Sequence, residues 1–373
     1  MQNIDGQIPV KKLRDLLNPL LVPLLAIFTA MVAGGIIIAI VGGNPFAAYW
    51  GLVQGSFGSA AALSETAVWA TPYIFAGLAV AVAFKGGLFN IGAEGQLAFG
   101  AVMAALIGYA LPGWLHIDLP AYIHIPLTVG LGMLAGAIWA AIPGALKAYT
   151  GGHEVINTIM MNYIALNITS FLLNGPMRDP DPLNLSARTP EIAASARIPT
   201  IFPDLRVHWG FVLALLVAVI IWWLLWKTTM GFEIRTVGAN PDAAKYAGIN
   251  VKRTIVITMA ISGALAGLAG AIEVTALNYR HELGFSVGYG FDSIAIALLG
   301  KTNPFGVVLA AILFGAMRNG GTRMQFMTQI PVDIISVIQG LILLFVAADA
   351  IIRFIYRIRV REERVVLTRG WGG

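Results

Sequence analysis

The 373-residue chain contains no cysteine, and charge is scarce: Asp, Glu, Lys and Arg together make up 12% of it. The first absence excludes disulfides and cysteine-ligated metal sites. The second excludes an ordinary soluble domain, in which about a quarter of the residues are charged. From Leu16 through Ser64 there is no charged side chain at all. No separate basic domain carries the net charge of +5, which argues against nucleic acid as a partner. Catalytic patterns are missing as well. Gly300-Lys301-Thr302 ends like a phosphate loop, but Ala295 stands where its first glycine belongs. His153-Glu154 opens like a zinc helix, but position 157 is Asn where a second histidine is needed. The five histidines (116, 124, 153, 208, 281) show no ligand spacing, and no serine lies in a nucleophile elbow. The expectation is a chain that is not an enzyme and binds no cofactor or metal of its own.

What is present is apolar. Hydrophobic residues make up 58% of the chain, and the mean hydropathy is +0.78. Residues 20–41 form one run of 22 apolar or small residues, long enough to cross a hydrocarbon layer of ~30 Å as a helix. The same criterion selects 63–84, 92–111, 126–148, 154–174, 209–226 and 254–277. Three further runs close the chain: 288–300, 304–317 and 331–351. The first two of these are short and read as a tight hairpin around Lys301-Thr302-Asn303. The fold class is therefore an all-α polytopic membrane protein of about ten transmembrane helices, nine or eleven being the neighbouring counts. Residues 44–58 are too short and too interrupted to cross, and are expected at the outer interface.

An even count places both termini on one side. That side would hold 17 of the 24 Lys and Arg residues, including five in the 227–253 loop and six beyond 351. The positive-inside rule makes it the cytoplasm, for the N-terminal segment 1–19 and the tail 352–373 alike. The Pro-rich loop 175–208 is then external, and reads either as a solvated linker or as a docking surface. Spans 2–5 and 7–10 would run in opposite senses, as an inverted repeat does.

Polar residues inside the runs are the functional candidates, because burying them in a membrane is costly. Glu94 sits among glycines at 86, 87, 92, 95 and 100, on a helical face with Asn90. It reads as lining a polar cavity near a helix break, or as pinning neighbouring helices. In the fifth run, Glu154, Asn157, Thr158, Asn162 and Thr169 share one helical arc. That stripe suits either a path for a hydrogen-bonding solute or bonds between helices. Asp292 is a third acid beside glycines, whereas Glu65, Glu273, Asp333 and Asp349 lie near span ends and read as interfacial. Gly263 and Gly267 in "GALAGLAGA" read as helix packing.

Four stretches carry a resemblance: "GGLFNIGAEGQLAFGA" (86–101), "GGHEVINTIMMNYIA" (151–165), "VGANPDAAKYAGINVKR" (237–253) and "GYGFDSIAIALLGKTNPFG" (288–306). The chain resembles, from the second span onward, the permease subunits of bacterial nucleoside ABC importers. That group also includes simple-sugar and branched-chain amino-acid permeases. The Asn-Ile-Gly-x-Glu-Gly run at 90–95 is its most specific element. The resemblance implies a second, homologous permease subunit and an ATPase, with its ATP and Mg, docked on the cytoplasmic face. It also implies an external substrate-binding lipoprotein and a membrane lipid surround in the inner membrane. Asn90, Glu94, Gln96, Glu154, Asn157, Thr158, Asn162 and Asp292 would line the substrate pathway. Asn240, Pro241, Asp242, Ala243, Ala244 and Gly248 would form the coupling helix. His153 departs from the small polar residue usual there. The rival reading is a proton-coupled carrier using Glu94, Glu154 and Asp292 as a relay.

Overall fold

The computed structural model describes residues 10–181 and 186–357. The first nine residues, 182–185 of the long loop and the basic tail beyond 357 lie outside the described residues. Among the described residues the chain is helical, with two isolated bridges and no strand. α1 (Val10–Ile40) leads to a short α2 (Pro45–Phe57), then α3 (Ala60–Lys85) and α4 (Ala93–Gly113). α5 (Ala121–Ala145) ends in a π-helical turn (Leu146–Thr150) before α6 (Glu154–Asn174) and, past the long loop, α7 (Trp209–Lys227). α8 (Thr229–Ala239) and α9 (Pro241–Tyr246) precede α10 (Val251–Ile272), which a π-helical turn extends to Asn278. α11 (Tyr289–Leu299), α12 (Pro304–Thr328), α13 (Asp333–Ala347) and α14 (Asp349–Ile355) complete the described chain.

Among the described residues, eight helices are long and apolar enough to cross a membrane, and α11 and α13 are shorter apolar helices. The ninth expected run is longer than its sequence reading. α12 continues past 317 to Thr328, because Arg318, Asn319 and Arg323 break the apolar run but not the helix. Three helices start at an Asn-Pro pair. Asn44, Asn240 and Asn303 each accept a backbone N–H two residues on, at 2.9 to 3.0 Å. The proline then occupies the first turn, where no N–H is needed.

α3 and α10 form the enclosed centre, and α4, α5, α11 and α12 surround them. Their closeness rests on missing side chains. A Cβ on Gly263 would lie 2.3 Å from the Gly136 carbonyl, and one on Gly100 would lie 2.2 Å from the Gly267 carbonyl. Backbones of α4, α5 and α10 thus touch directly, the packing role expected of the small-residue stretch. α2 is seated against α12, where a Cβ on Gly55 would lie 2.9 Å from the Cα of Gly320. Each central helix is followed by a non-helical break, 86–92 after α3 and 279–288 after the turn that ends α10.

The described part of the 175–208 loop packs on the bundle as a cap over 189–198. Its backbone bonds to the ends of the bundle: Thr189 to His281, Ile192 to Tyr279, Ala193 to Gly108 and Ile198 to Thr275, each at 2.8 to 2.9 Å. His281 is buried under it, edge-on to Phe285 at 4.5 Å. Burial pushes His281 down to about 3 and His208 down to about 4. Both imidazoles are therefore neutral when folded but take up a proton below about pH 6.5 when the cap opens. Cap stability falls as pH drops through that value and levels off only near the folded pKa values. Protection over 186–208, taken as exchange corrected for its own slowing toward acid, is expected to fall from about pH 7.5 to about pH 5. His281→Leu should blunt that change, since neither ring nitrogen of His281 has a hydrogen-bond partner to lose.

Candidate functional site

The break after α3 is a turn built on glycine. Gly87 has φ +70, and the chain then runs extended into the bundle before α4 begins at Ala93. Asn90 is consequently not on a helical face with Glu94 as the sequence suggests; it lies in the break and points elsewhere. Its amide pairs reciprocally with that of Gln96 (2.9 and 3.0 Å), and its nitrogen also donates to Ser262 of α10 at 2.8 Å. The Ser262 hydroxyl in turn donates to the Ala79 carbonyl of α3 at 2.7 Å. Asn90 and Gln96 are buried with these bonds made, and they hold the break to α3 and α10.

Asn162 clamps the same break from α6. Its nitrogen donates to the Ile91 carbonyl and its oxygen accepts from Gly95 N–H, each at 2.8 Å. Being eight residues past Glu154, it lies about 12 Å along its helix, so the break is held well inside the bundle. Thr158 and Thr169 are buried on this face too, while Asn157 is half-buried beside Gly152. Glu154 stands apart, paired with Lys147 at 2.8 Å at the start of the helix. Of the α6 stripe, Asn162 bonds across to the break, Glu154 pairs with Lys147, and Thr158 donates to the Glu154 carbonyl of its own helix at 2.8 Å.

Glu94 is buried in the first turn of α4, and Gly290 N–H in the first turn of α11 donates to its Oε2 at 2.7 Å. Ser286 hydrogen-bonds the same carboxylate. A Cβ on Gly290 would lie 2.3 Å from the Glu94 nitrogen, so the starts of the two helices meet backbone to backbone. An acid at that junction satisfies an otherwise unpaired helix-start donor.

Beyond Gly290 lies a charged cluster. Asp292 Oδ2 accepts from Tyr73 Oη at 2.7 Å and from Arg318 Nη2 at 3.2 Å; Arg318 Nε also donates to Tyr73 Oη at 3.2 Å. The sequence reading missed Arg318, because it ended the ninth span one residue before it. The available signal was an arginine directly after the apolar run 304–317. Glu273 is also corrected: the π-helical turn carries the helix on to Asn278, and Glu273 is enclosed, bonded to Tyr289, instead of lying at an interface. Glu65 does lie at a helix start, paired with Arg206 at 3.0 Å.

At the end of the bundle that carries 227–253, α8 folds back over α3 and α7. Arg235 Nε donates to the Leu225 carbonyl at 2.9 Å, and the Lys85 ammonium lies 5.6 Å from the Trp226 ring centre. Gly238 presses on the turn after α3: a Cβ there would lie 2.1 Å from the Lys85 carbonyl and 2.7 Å from the Gly87 nitrogen. α9 follows, capped by Asn240, with Pro241, Asp242, Ala243 and Gly248 exposed. Ala244 is buried against the bundle, and Tyr246 projects, 98% exposed. Of the six expected coupling residues, Ala244 thus faces the chain's own interior, and Gly248 is required by its φ of +85.

Long apolar helices arranged around amide-clamped breaks and a mid-bundle ion pair define a multi-pass membrane transport component. The family model described as branched-chain amino acid transport system / permease component matches residues 62–347, and the chain belongs to that family. It is 43% identical to the guanosine ABC transporter permease protein NupP of Bacillus subtilis, over 91% of this chain and 96% of that one. It is 37% identical to the nucleoside ABC transporter permease protein NupB of Lactococcus lactis, over 89% and 92%. It is 32% identical to the glucose ABC transporter permease protein TsgB13 of Haloferax volcanii, over 92% and 90%. No solved structure matches.

Proposed function

We propose that this chain is the permease subunit of an ATP-driven nucleoside importer in a bacterial inner membrane. The observation that carries the reading is likeness to a guanosine permease over nine-tenths of both chains. The chain crosses the membrane ten times with both termini in the cytoplasm, the orientation its basic residues favour. It shares a translocation path with a second, homologous permease and receives solute from an external binding lipoprotein. A separate ATPase, holding ATP and magnesium, seats on the exposed face of α9, with Tyr246 as its most prominent side chain.

A nucleoside is neutral, rich in hydroxyls and flat on one face, so amides, a mutually neutralised ion pair and aromatic rings suit it. Selection would rest mainly with the external binding protein, because a permease must also release. The glucose permease among the relatives favours simple sugar as the second cargo. Competition separates the two: unlabelled nucleosides should suppress uptake of labelled guanosine by the assembled transporter, and glucose should leave it unchanged. Suppression by glucose or by branched-chain amino acids, with nucleosides inert, would reassign the cargo.

A further inference from the structure

We propose that Phe291, Asp292 and Arg318 form a solute-contact site on the translocation face, taking a neutral ribonucleoside; this rests on the nucleoside reading above. The first observation is how the ion pair is bonded. Tyr73 and Arg318 both engage Asp292 Oδ2, and no described residue bonds to Oδ1. Arg318 spends Nε on Tyr73 and Nη2 on Asp292 and the Val287 carbonyl, and no described residue bonds to its Nη1. An acceptor and a donor are therefore left over on a pair whose charges cancel.

The second observation is depth. Arg318 lies fourteen residues past Pro304, about 21 Å along α12. Asp292 is two residues from Gly290, whose contact with Glu94 lies inside the bundle. At that depth the Asp292 and Arg318 side chains remain 25% and 21% exposed. A charged pair partly open at mid-membrane faces water or polar partners, not hydrocarbon. In a transporter, water at that depth belongs to the translocation path, which is where the proposed site lies.

The third observation is the neighbouring ring. Phe291 is half exposed, and Val287 on the same approach is 42% exposed. The two ribose hydroxyls can donate to Asp292 Oδ1 and accept from Arg318 Nη1, while the base lies against the Phe291 ring. A pin between α11, α12 and α3 would use only Oδ2; it would leave this donor, acceptor and ring without a role.

The experiment uses the complete transporter in proteoliposomes. Since the native chain has no cysteine, F291C and V287C each introduce one thiol for a hydrophilic thiol reagent. Saturating guanosine should slow labelling of at least one variant, and glucose should slow neither. Phe291→Ala should raise the guanosine KM about tenfold, as loss of one base–aromatic stack does, with the amount of folded complex unchanged. Labelling at both positions indifferent to guanosine, in a complex whose wild type does transport it, would overturn the site and leave the function standing. A wild-type complex that takes up no nucleoside would overturn both.

Discussion

Gly238→Val is expected to reduce uptake to background, a loss of well over about tenfold, in a permease that still inserts and still binds its ATPase. The reason is a backbone contact. Gly238 lies in the last turn of α8, three residues before the exposed α9, and rests on the Lys85 carbonyl and the Gly87 nitrogen. Gly87 opens the break whose Asn90 is tied to Gln96 and Ser262. Movement at α9 therefore reaches mid-bundle through one rigid step, and no side chain fits between its two faces. A valine there must push α8 off the turn, at a cost of about 1–3 kcal/mol typical of overpacking, and that step is lost. The check is uptake measured beside substrate-stimulated ATP hydrolysis in the purified complex. Basal hydrolysis should persist while stimulation disappears. Wild-type stimulation in the valine variant would remove Gly238 from the coupling route.

The second large effect is at Glu94. Glu94→Leu leaves Gly290 N–H and the Ser286 hydroxyl without their buried acceptor. An unsatisfied buried group costs about 1–3 kcal/mol, and here the buried Gly290 N–H becomes one where two helix starts meet, Ser286 being only half-buried. The amount of folded, detergent-stable complex should fall several-fold. Glu94→Gln keeps an acceptor for Gly290 and should lose much less. Uptake per folded complex decides what else the residue does. If it is unchanged in the Gln variant, Glu94 is a structural tie; if it falls while the complex stays abundant, the carboxylate also serves the path. An abundant, stable Leu variant would contradict the tie itself.

The fold class and most span positions were legible in the sequence, because runs such as 154–174 and 209–226 are continuous and hydrocarbon thickness sets their length. Ends were less legible where polar residues continue a helix. α12 runs on through Arg318 and Arg323, and the turn after α10 carries Glu273 inward. The break before α4 was readable from its glycines, but the partners of the residues around it were not. Asn90 reads as sharing a helical face with Glu94, yet it bonds to Ser262, which lies 172 positions away in the chain. Likewise the α6 stripe announced polarity, while only the packing shows that Asn162 spends both its amide atoms on the break. The 227–253 loop shows the same limit: the resemblance marked the short helix, but which of Ala244 and Tyr246 faces outward depends on how α9 sits on the bundle.

The measurement that bears most directly on the central claim is uptake of labelled guanosine by the complete transporter, with internal ATP maintained and the proton gradient collapsed by an uncoupler. An ATP-driven permease predicts that uptake continues, stops when ATP is withdrawn, and is competed by unlabelled nucleosides. Uptake that vanishes with the gradient while ATP remains would contradict the account. It would instead make the chain a proton-coupled carrier, with Glu94, Glu154 and Asp292 as the groups to test for a relay.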